Sequence, residues 1–185
     1  PDSWGKRHRL EHAGHLCMTP ERIGRMVKMG LVPVVTMPFL NSFGDFLPEY
    51  LGDRADGAFA LRRLLDAGLP VPGSSDSLGA QPESLNPWFG MWCSVARETR
   101  TGQLLAPEEA VSPLEALDTY TRYPAYGDFA EDLVGSIEVG KAADLVVLDT
   151  NPFADAETLK NAKPIATMLD GKVVTGHLPG HHHHM

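Results

Sequence analysis

Two side chains of this sequence are suited to holding a metal ion: His12, in Arg9-Leu10-Glu11-His12-Ala13, and Asp76, in Gly73-Ser74-Ser75-Asp76. His12 stands where one strand should finish and Asp76 where a later one should. In a parallel α/β barrel both would lie at the carboxyl ends of the strands, the face on which active sites of that fold are built. An imidazole and a carboxylate converging there can hold a divalent ion, with Zn²⁺ the usual choice for mixed nitrogen and oxygen ligands. Such an ion brings a bound water toward pKa ~7 and makes hydroxide available near neutrality. The residues alone leave other readings open. A lone histidine beside a helix is often packed or solvated, and an aspartate among glycine and serines is by default a turn or cap residue. His8 and His15 match no ligand position and read as solvated; Glu11 reads as a neighbour that orients the strand or the ring.

The elements that would position the pair alternate in type. Residues 9–13 read as the end of a short strand. Thr19-Pro20-Glu21 starts a helix, with Thr19 as cap, Pro20 at the first helical position and Glu21 at the positive end of the dipole. Ile23, Met26 and Val27 recur at helical spacing, and Gly30 is placed to end the helix. Leu31 to Met37 reads as a buried strand, completing a strand, helix and strand within about thirty residues, the length of a βαβ unit. The turn-rich stretch from Pro38 to Asp56 reads as a functional loop above a barrel. A helix follows with Ala58, Leu61, Leu64 and Leu65 on one face and Gly68 after its end, then a short strand at Leu69 to Val71. This order is α/β, most simply the last part of a barrel.

Asn86-Pro87 opens a further helix bearing Trp88, Phe89, Trp92 and Val95. Trp88 and Trp92 lie four apart on one face and read as core, and Arg97 as a partner in a surface ion pair. Ser112-Pro113-Leu114-Glu115 has the capping-box pattern ahead of Ala116, Leu117 and Tyr120. From Gly135 the texture changes to short strands. Ile137 to Val139 and Leu145 to Leu148 read as two strands joined by a turn at Gly140-Lys141. Ile165 to Leu169 and Lys172 to Val174 flank Asp170-Gly171, a strong hairpin signal.

The 185 residues are 43% hydrophobic and 22% charged, enough apolar surface for one sizeable core. A formal net charge of −8 argues against nucleic acid and anionic membrane, both of which select for basic patches, and favours a small-molecule substrate. Cys17 and Cys93 lack Cys-x-x-Cys spacing and read as buried thiols in a reducing, cytoplasmic setting. No apolar run approaches the roughly 18 residues of a membrane helix. The run His181 to His184 before Met185 is set aside from fold reasoning.

The stretch Gly135-Ser136-Ile137-Glu138-Val139-Gly140-Lys141-Ala142-Ala143-Asp144-Leu145-Val146-Val147-Leu148-Asp149 resembles the C-terminal signature of the amidohydrolase superfamily. Taken in order with Arg9 to Ala13, Gly73 to Asp76, Asn86-Pro87-Trp88 and Ser112 to Leu117, it resembles the amidohydrolase 3 family, which includes enzymes similar to N-substituted formamide deformylase. The resemblance runs from about residue 7 to residue 175. It implies a fold made of the C-terminal part of a (β/α)8 TIM-like barrel followed by strands of a small β-sandwich domain. Residues 1–130 would be the last βα units, 131–178 the strands of the small domain and 179–185 a disordered tail. It implies that His12 ends the sixth barrel strand, as a metal ligand or a hydrogen-bond donor to the substrate carbonyl. Asp76 would follow the eighth strand, binding metal and passing a proton from the attacking water to the leaving amine.

The chain lacks the His-x-His pair, the bridging ligand and the fifth-strand histidine expected of that family, so it reads as the C-terminal portion of a hydrolase. Two ligands fall short of the three protein groups that a catalytic zinc takes. An open half-barrel would also expose sheet edges and invite self-association. Pro33 and Pro72 fall within or beside expected strands, where a missing N–H is poorly tolerated except at strand ends. Thr36-Met37-Pro38 departs from the more polar ending expected of strand seven. The leading expectation is a metal-dependent hydrolase of non-peptide carbon–nitrogen bonds, with an amide or formamide substrate. The alternatives are a non-catalytic remnant that associates with a partner, and a cyclic amidase or deaminase.

Overall fold

Three short segments running in the same direction form the sheet fragment against which the helices pack. In a computed structural model that describes residues 4–16, 18–77, 79 and 81–180, strand β1 (Arg9–Leu10) pairs in parallel with β2 (Val32–Pro33). Val32 and Val34 donate their N–H groups to the carbonyls of His8 and Leu10, at 2.8 and 2.9 Å. On its other side the chain after β2 forms a parallel bridge from Val35 to Gly73. Val35 donates to the Pro72 carbonyl and Ser74 to the Val35 carbonyl, at 3.0 and 2.9 Å. This second ladder is confined to one bridge because Pro33 and Pro72, which would extend it backward, have no N–H to give. Leu69 to Val71, expected as a strand, is therefore buried chain without a ladder, and the expected strand over Leu31 to Met37 shrinks to β2 and the bridge.

The crossover from β1 to β2 is α1 (Pro20–Met29), which buries Ile23 and Met26. The Thr19 hydroxyl accepts from the Arg22 N–H, and Gly30, at φ 64°, closes the helix by donating to the Met26 and Val27 carbonyls. The stretch expected as a functional loop is largely helical instead. It contains α2 (Pro38–Phe43), α3 (Leu47–Leu51) and a 3-10 turn over Gly52–Ala55. Pro38 and Pro48 sit in the first turns of these helices, where a missing N–H is harmless. Helix α4 (Leu61–Asp66) buries Leu61 and Leu64.

Helix α5 (Pro87–Ala96) is capped by the Asn86 side chain and sunk into the core, with Trp88 and Trp92 at 7% and 6% exposure. It is the hub of the second half: α6 (Pro113–Asp118) and α8 (Ala156–Lys160) both pack on it, while α7 (Arg122–Gly127) follows α6. The capping box of α6 is complete, Ser112 and Glu115 each serving the other's backbone N–H. Cys93 is a buried free thiol, which burial pushes up to where it stays protonated. Cys17 and the terminal histidine run lie outside the described residues.

Strands β3 (Leu145–Leu148), β4 (Pro164–Leu169) and β5 (Lys172–Gly176) form an antiparallel sheet in that order. Asp170 and Gly171 both take positive φ, 48° and 77°, the backbone that joins adjacent strands tightly. The strand expected over Ile137 to Val139 does not form. Both apolar side chains point into solvent, at 88% and 108% exposure. Ile137 and Val139 alternate with polar neighbours, but no neighbouring strand lies alongside among the described residues to complete a ladder.

Candidate functional site

His12 and Asp76 are brought together. His12 lies in the turn that follows β1, and Asp76 lies three residues beyond the Val35–Gly73 bridge. Both take left-handed backbone conformations, φ 57° and 42°, which histidine and aspartate tolerate better than most residues. The Asp76 turn is closed locally: its N–H donates to Ser74 Oγ at 3.2 Å, and its carbonyl accepts from the Gly79 N–H at 2.7 Å. The two turns aim His12 Nε2 at Asp76 Oδ2, 3.5 Å away, with the side chains 47% and 40% exposed. At that exposure their attraction is worth no more than ~1 kcal/mol. Folding alone therefore gives little reason to hold them together.

The His12 ring is positioned from behind. Its Nδ1 lies 3.4 Å from Thr36 Oγ1, and its face stacks on Phe39 of α2, 5.5 Å between centroids and 11° between planes. Buried Thr36 donates its N–H to His15 Nε2 at 3.0 Å. His15, expected to be solvated, is instead largely enclosed, its ring 4.6 Å from that of Phe59. Burial first, and then the charge of His12, push His15 down to about 4, so it is neutral at neutral pH. His8 is exposed, and exposed Glu11 lies 4.0 Å from Arg9 rather than against the ring.

Arg97, expected in a surface ion pair, is fully buried at the end of α5. Its guanidinium donates to the carbonyls of Ala58, Phe59 and Leu105 at 2.6, 2.7 and 3.1 Å. The turn it holds faces the site, because Phe59 and Ala60 donate their N–H groups to the His15 and Gly14 carbonyls. Spacing could not reveal this, since the carbonyls belong to remote segments. The contributions of Thr36, Phe39 and His15 were missed for the same reason.

The donor set fits a divalent ion in type and spacing. Bonds of ~2.1 Å at tetrahedral angles place two ligand atoms ~3.4 Å apart, close to the 3.5 Å between His12 Nε2 and Asp76 Oδ2. The number of ligands is smaller than an ion requires. No group of three or more His, Cys, Asp or Glu side chains that could hold a metal occurs among the described residues.

The profile of the amidohydrolase family matches residues 1–175. The chain belongs to the amidohydrolase family. It is 36% identical over 167 residues to the N-substituted formamide deformylase of Arthrobacter pascens, covering 88% of this chain and 30% of that protein. It is 30% identical over 179 residues to the putative amidohydrolase YtcJ of Bacillus subtilis (strain 168), covering 94% of this chain and 33% of the relative. An uncharacterized metal-dependent hydrolase from Pyrococcus furiosus superposes with a TM-score of 0.64 at 26% identity, over 80% of this chain and 29% of that one. The chain thus spans about a third of the length of the curated relatives it matches. Its α/β architecture, with the small antiparallel sheet following, matches part of the fold of that hydrolase.

Proposed function

We propose that this chain is the C-terminal part of a metal-dependent hydrolase of carbon–nitrogen bonds other than peptide bonds, with an amide or formamide substrate. Residues 1–130 would supply the last βα units of the barrel and residues 131–178 the strands of the small domain. The observation that carries the reading is the approach of His12 Nε2 to Asp76 Oδ2 at the ends of parallel segments, at a spacing that suits one shared ion. In this reading the two side chains hold a divalent ion, zinc by the character of the donors, with further ligands from sequence outside this chain. When bound, the ion supplies Lewis acidity, lowering the pKa of water and polarising a carbonyl. Asp76 accepts the proton of the attacking water and delivers it to the leaving amine. His12, held by Thr36 and Phe39, would serve as a ligand of that ion or as a hydrogen-bond donor to the substrate carbonyl. Likeness to a formamide deformylase supports the substrate class. The free buried thiol of Cys93 fits a reducing compartment, the cytoplasm.

The count of two ligands among the described residues favours a second reading, in which this chain on its own is a non-catalytic partner for the rest of a barrel. Metal content of the purified chain, with hydrolysis of a panel of formamides, separates the two. Stoichiometric metal and turnover, both lost in Asp76→Asn, support a working site in this chain. Absence of both, persisting when the chain is combined with the remainder of the related deformylase, favours the second reading.

A further inference from the structure

We infer that His15 is a positioning residue, which fixes the orientation of the His12 ring by holding Thr36 from behind. The Thr36 N–H is a donor and cannot be otherwise, so His15 Nε2, 3.0 Å away, must be its acceptor and carry no proton. A neutral imidazole with an unprotonated Nε2 carries its hydrogen on Nδ1, so the contact sets one tautomer. Thr36 is buried, and the end of the bridge-forming segment has no strand partner for this N–H among the described residues; the imidazole takes the place of one. With its backbone pinned there, Thr36 presents Oγ1 to His12 Nδ1 at 3.4 Å, which leaves Nε2 as the nitrogen facing Asp76.

His15 is itself held on two sides. Its carbonyl accepts from the Phe59 N–H at 3.0 Å, and its ring lies against those of Phe59 and Phe39, at 4.6 and 5.9 Å between centroids. The Phe59 carbonyl is in turn fixed by buried Arg97. An unbroken series of contacts therefore runs from the end of α5 to the working face of His12. An orientation error at His12 of a few tenths of an ångström is the kind that such support prevents.

The inference rests on the reading of His12 and Asp76 as the working pair, yet its test reads ring nitrogens and amide exchange rather than turnover. Failure to bind metal or hydrolyse amides would leave these readouts in place. In the 185-residue chain, nitrogen-15 spectra of the imidazoles should show His15 Nε2 unprotonated at pH 7 and His12 in one tautomer. His15→Leu removes the acceptor, and exchange of the Thr36 amide should rise by at least ~10-fold relative to the Leu64 amide, which sits in the core. His12 should then populate both tautomers. His15→Gln keeps an acceptor near the Nε2 position and should restore Thr36 protection to within ~3-fold, with the single His12 tautomer. A protonated Nε2 on wild-type His15 would overturn the inference, as would equal effects of the leucine and glutamine variants. Should the leucine variant fail to fold, the wild-type ring nitrogens and the glutamine variant still decide.

Discussion

Replacing Arg97 by methionine tests whether a buried cation holds the floor of the site. Two effects oppose. Burial pushes Arg97 down to about 10 from an ordinary 12.5, so keeping it charged in the core costs ~3 kcal/mol, which the neutral side chain recovers. Against that stand three charged hydrogen bonds to carbonyls, each contributing ~1.5–3 kcal/mol. The Phe59 carbonyl also accepts from the Leu61 N–H at 2.7 Å and keeps a partner, so the loss falls mainly on Ala58 and Leu105. Taking the upper end of that range for these two buried bonds, ~6 kcal/mol lost against ~3 regained leaves a net destabilisation of ~3 kcal/mol. Urea unfolding followed by circular dichroism would read this as a lower midpoint at unchanged slope. Arg97→Lys keeps the charge without the planar fork and should recover less than half of the loss. A methionine variant within ~1 kcal/mol of wild type, or a lysine variant as stable as wild type, would refute the account, because neither is compatible with two carbonyls that depend on the guanidinium.

Gly90 and Tyr120 give a second test, since a Cβ at Gly90 would collide with the Tyr120 hydroxyl. Gly90→Ala should destabilise by ~1–3 kcal/mol. Tyr120→Phe removes a buried hydroxyl that has no hydrogen-bond partner among the described residues, so it should be near neutral alone and relieve much of the alanine penalty in the double variant, read by thermal unfolding. The Arg62 guanidinium, bonded to both oxygens of Glu115 at 2.7 and 2.5 Å, together with the Ser112 N–H, pulls that carboxyl down to about 2 from 4.5. A depressed carboxylate stabilises the fold above its unfolded pKa and loses that contribution as pH falls through the folded one. Glu115→Gln should therefore flatten acid unfolding between about pH 4.5 and 2, by ~1 kcal/mol once the exposure of the pair is allowed for. Asp76→Asn and His12→Asn should each weaken Zn²⁺ binding by at least ~10-fold in equilibrium dialysis; unchanged binding would place any ion elsewhere. At the left-handed Asp76 position, glycine should be more stable than alanine by ~1 kcal/mol in urea, and the reverse order would argue against strain there.

Local signals made most of the helical frame legible. Thr19, Asn86 and the Ser112–Glu115 box act within four residues of themselves, so their effect depends little on the rest of the fold. The Asp170-Gly171 hairpin is legible for the same reason. What could not be read depends on remote partners. Ile137 and Val139 have the alternation of a strand, yet a strand exists only where a neighbour accepts its hydrogen bonds. The turn-rich stretch from Pro38 to Asp56 suggested a loop, whereas Pro38 and Pro48 each stand in the first turn of a helix. Motif order singled out His12 and Asp76, whose side chains lie 3.5 Å apart. His15, Thr36 and Phe39 were not singled out, because a histidine that accepts a backbone N–H and one that faces solvent are the same letter in a sequence.

Four residues in and behind the site share a backbone property with Arg7, Ala106, Phe129 and Asp170 elsewhere in the chain. His12, Phe59, Asp76 and Arg97 are all non-glycine residues at positive φ, 57°, 53°, 42° and 59°. Each such residue is disfavoured by ~1–2 kcal/mol, less for histidine and aspartate, and persists only where its surroundings over-determine it. The surroundings are visible in each case: three carbonyls around Arg97, the His15 carbonyl on the Phe59 N–H, Ser74 and Gly79 around Asp76, and Thr36 with Phe39 around His12. A sequence selected for stability alone would place glycine or asparagine at these turns and an apolar side chain at Arg97. That it carries a histidine, an aspartate, a phenylalanine and a buried arginine instead means that side-chain position outweighs local backbone preference here. The exposed pair at the end of the series contributes too little to folding to account for that, which agrees with the proposal that the two side chains share an ion.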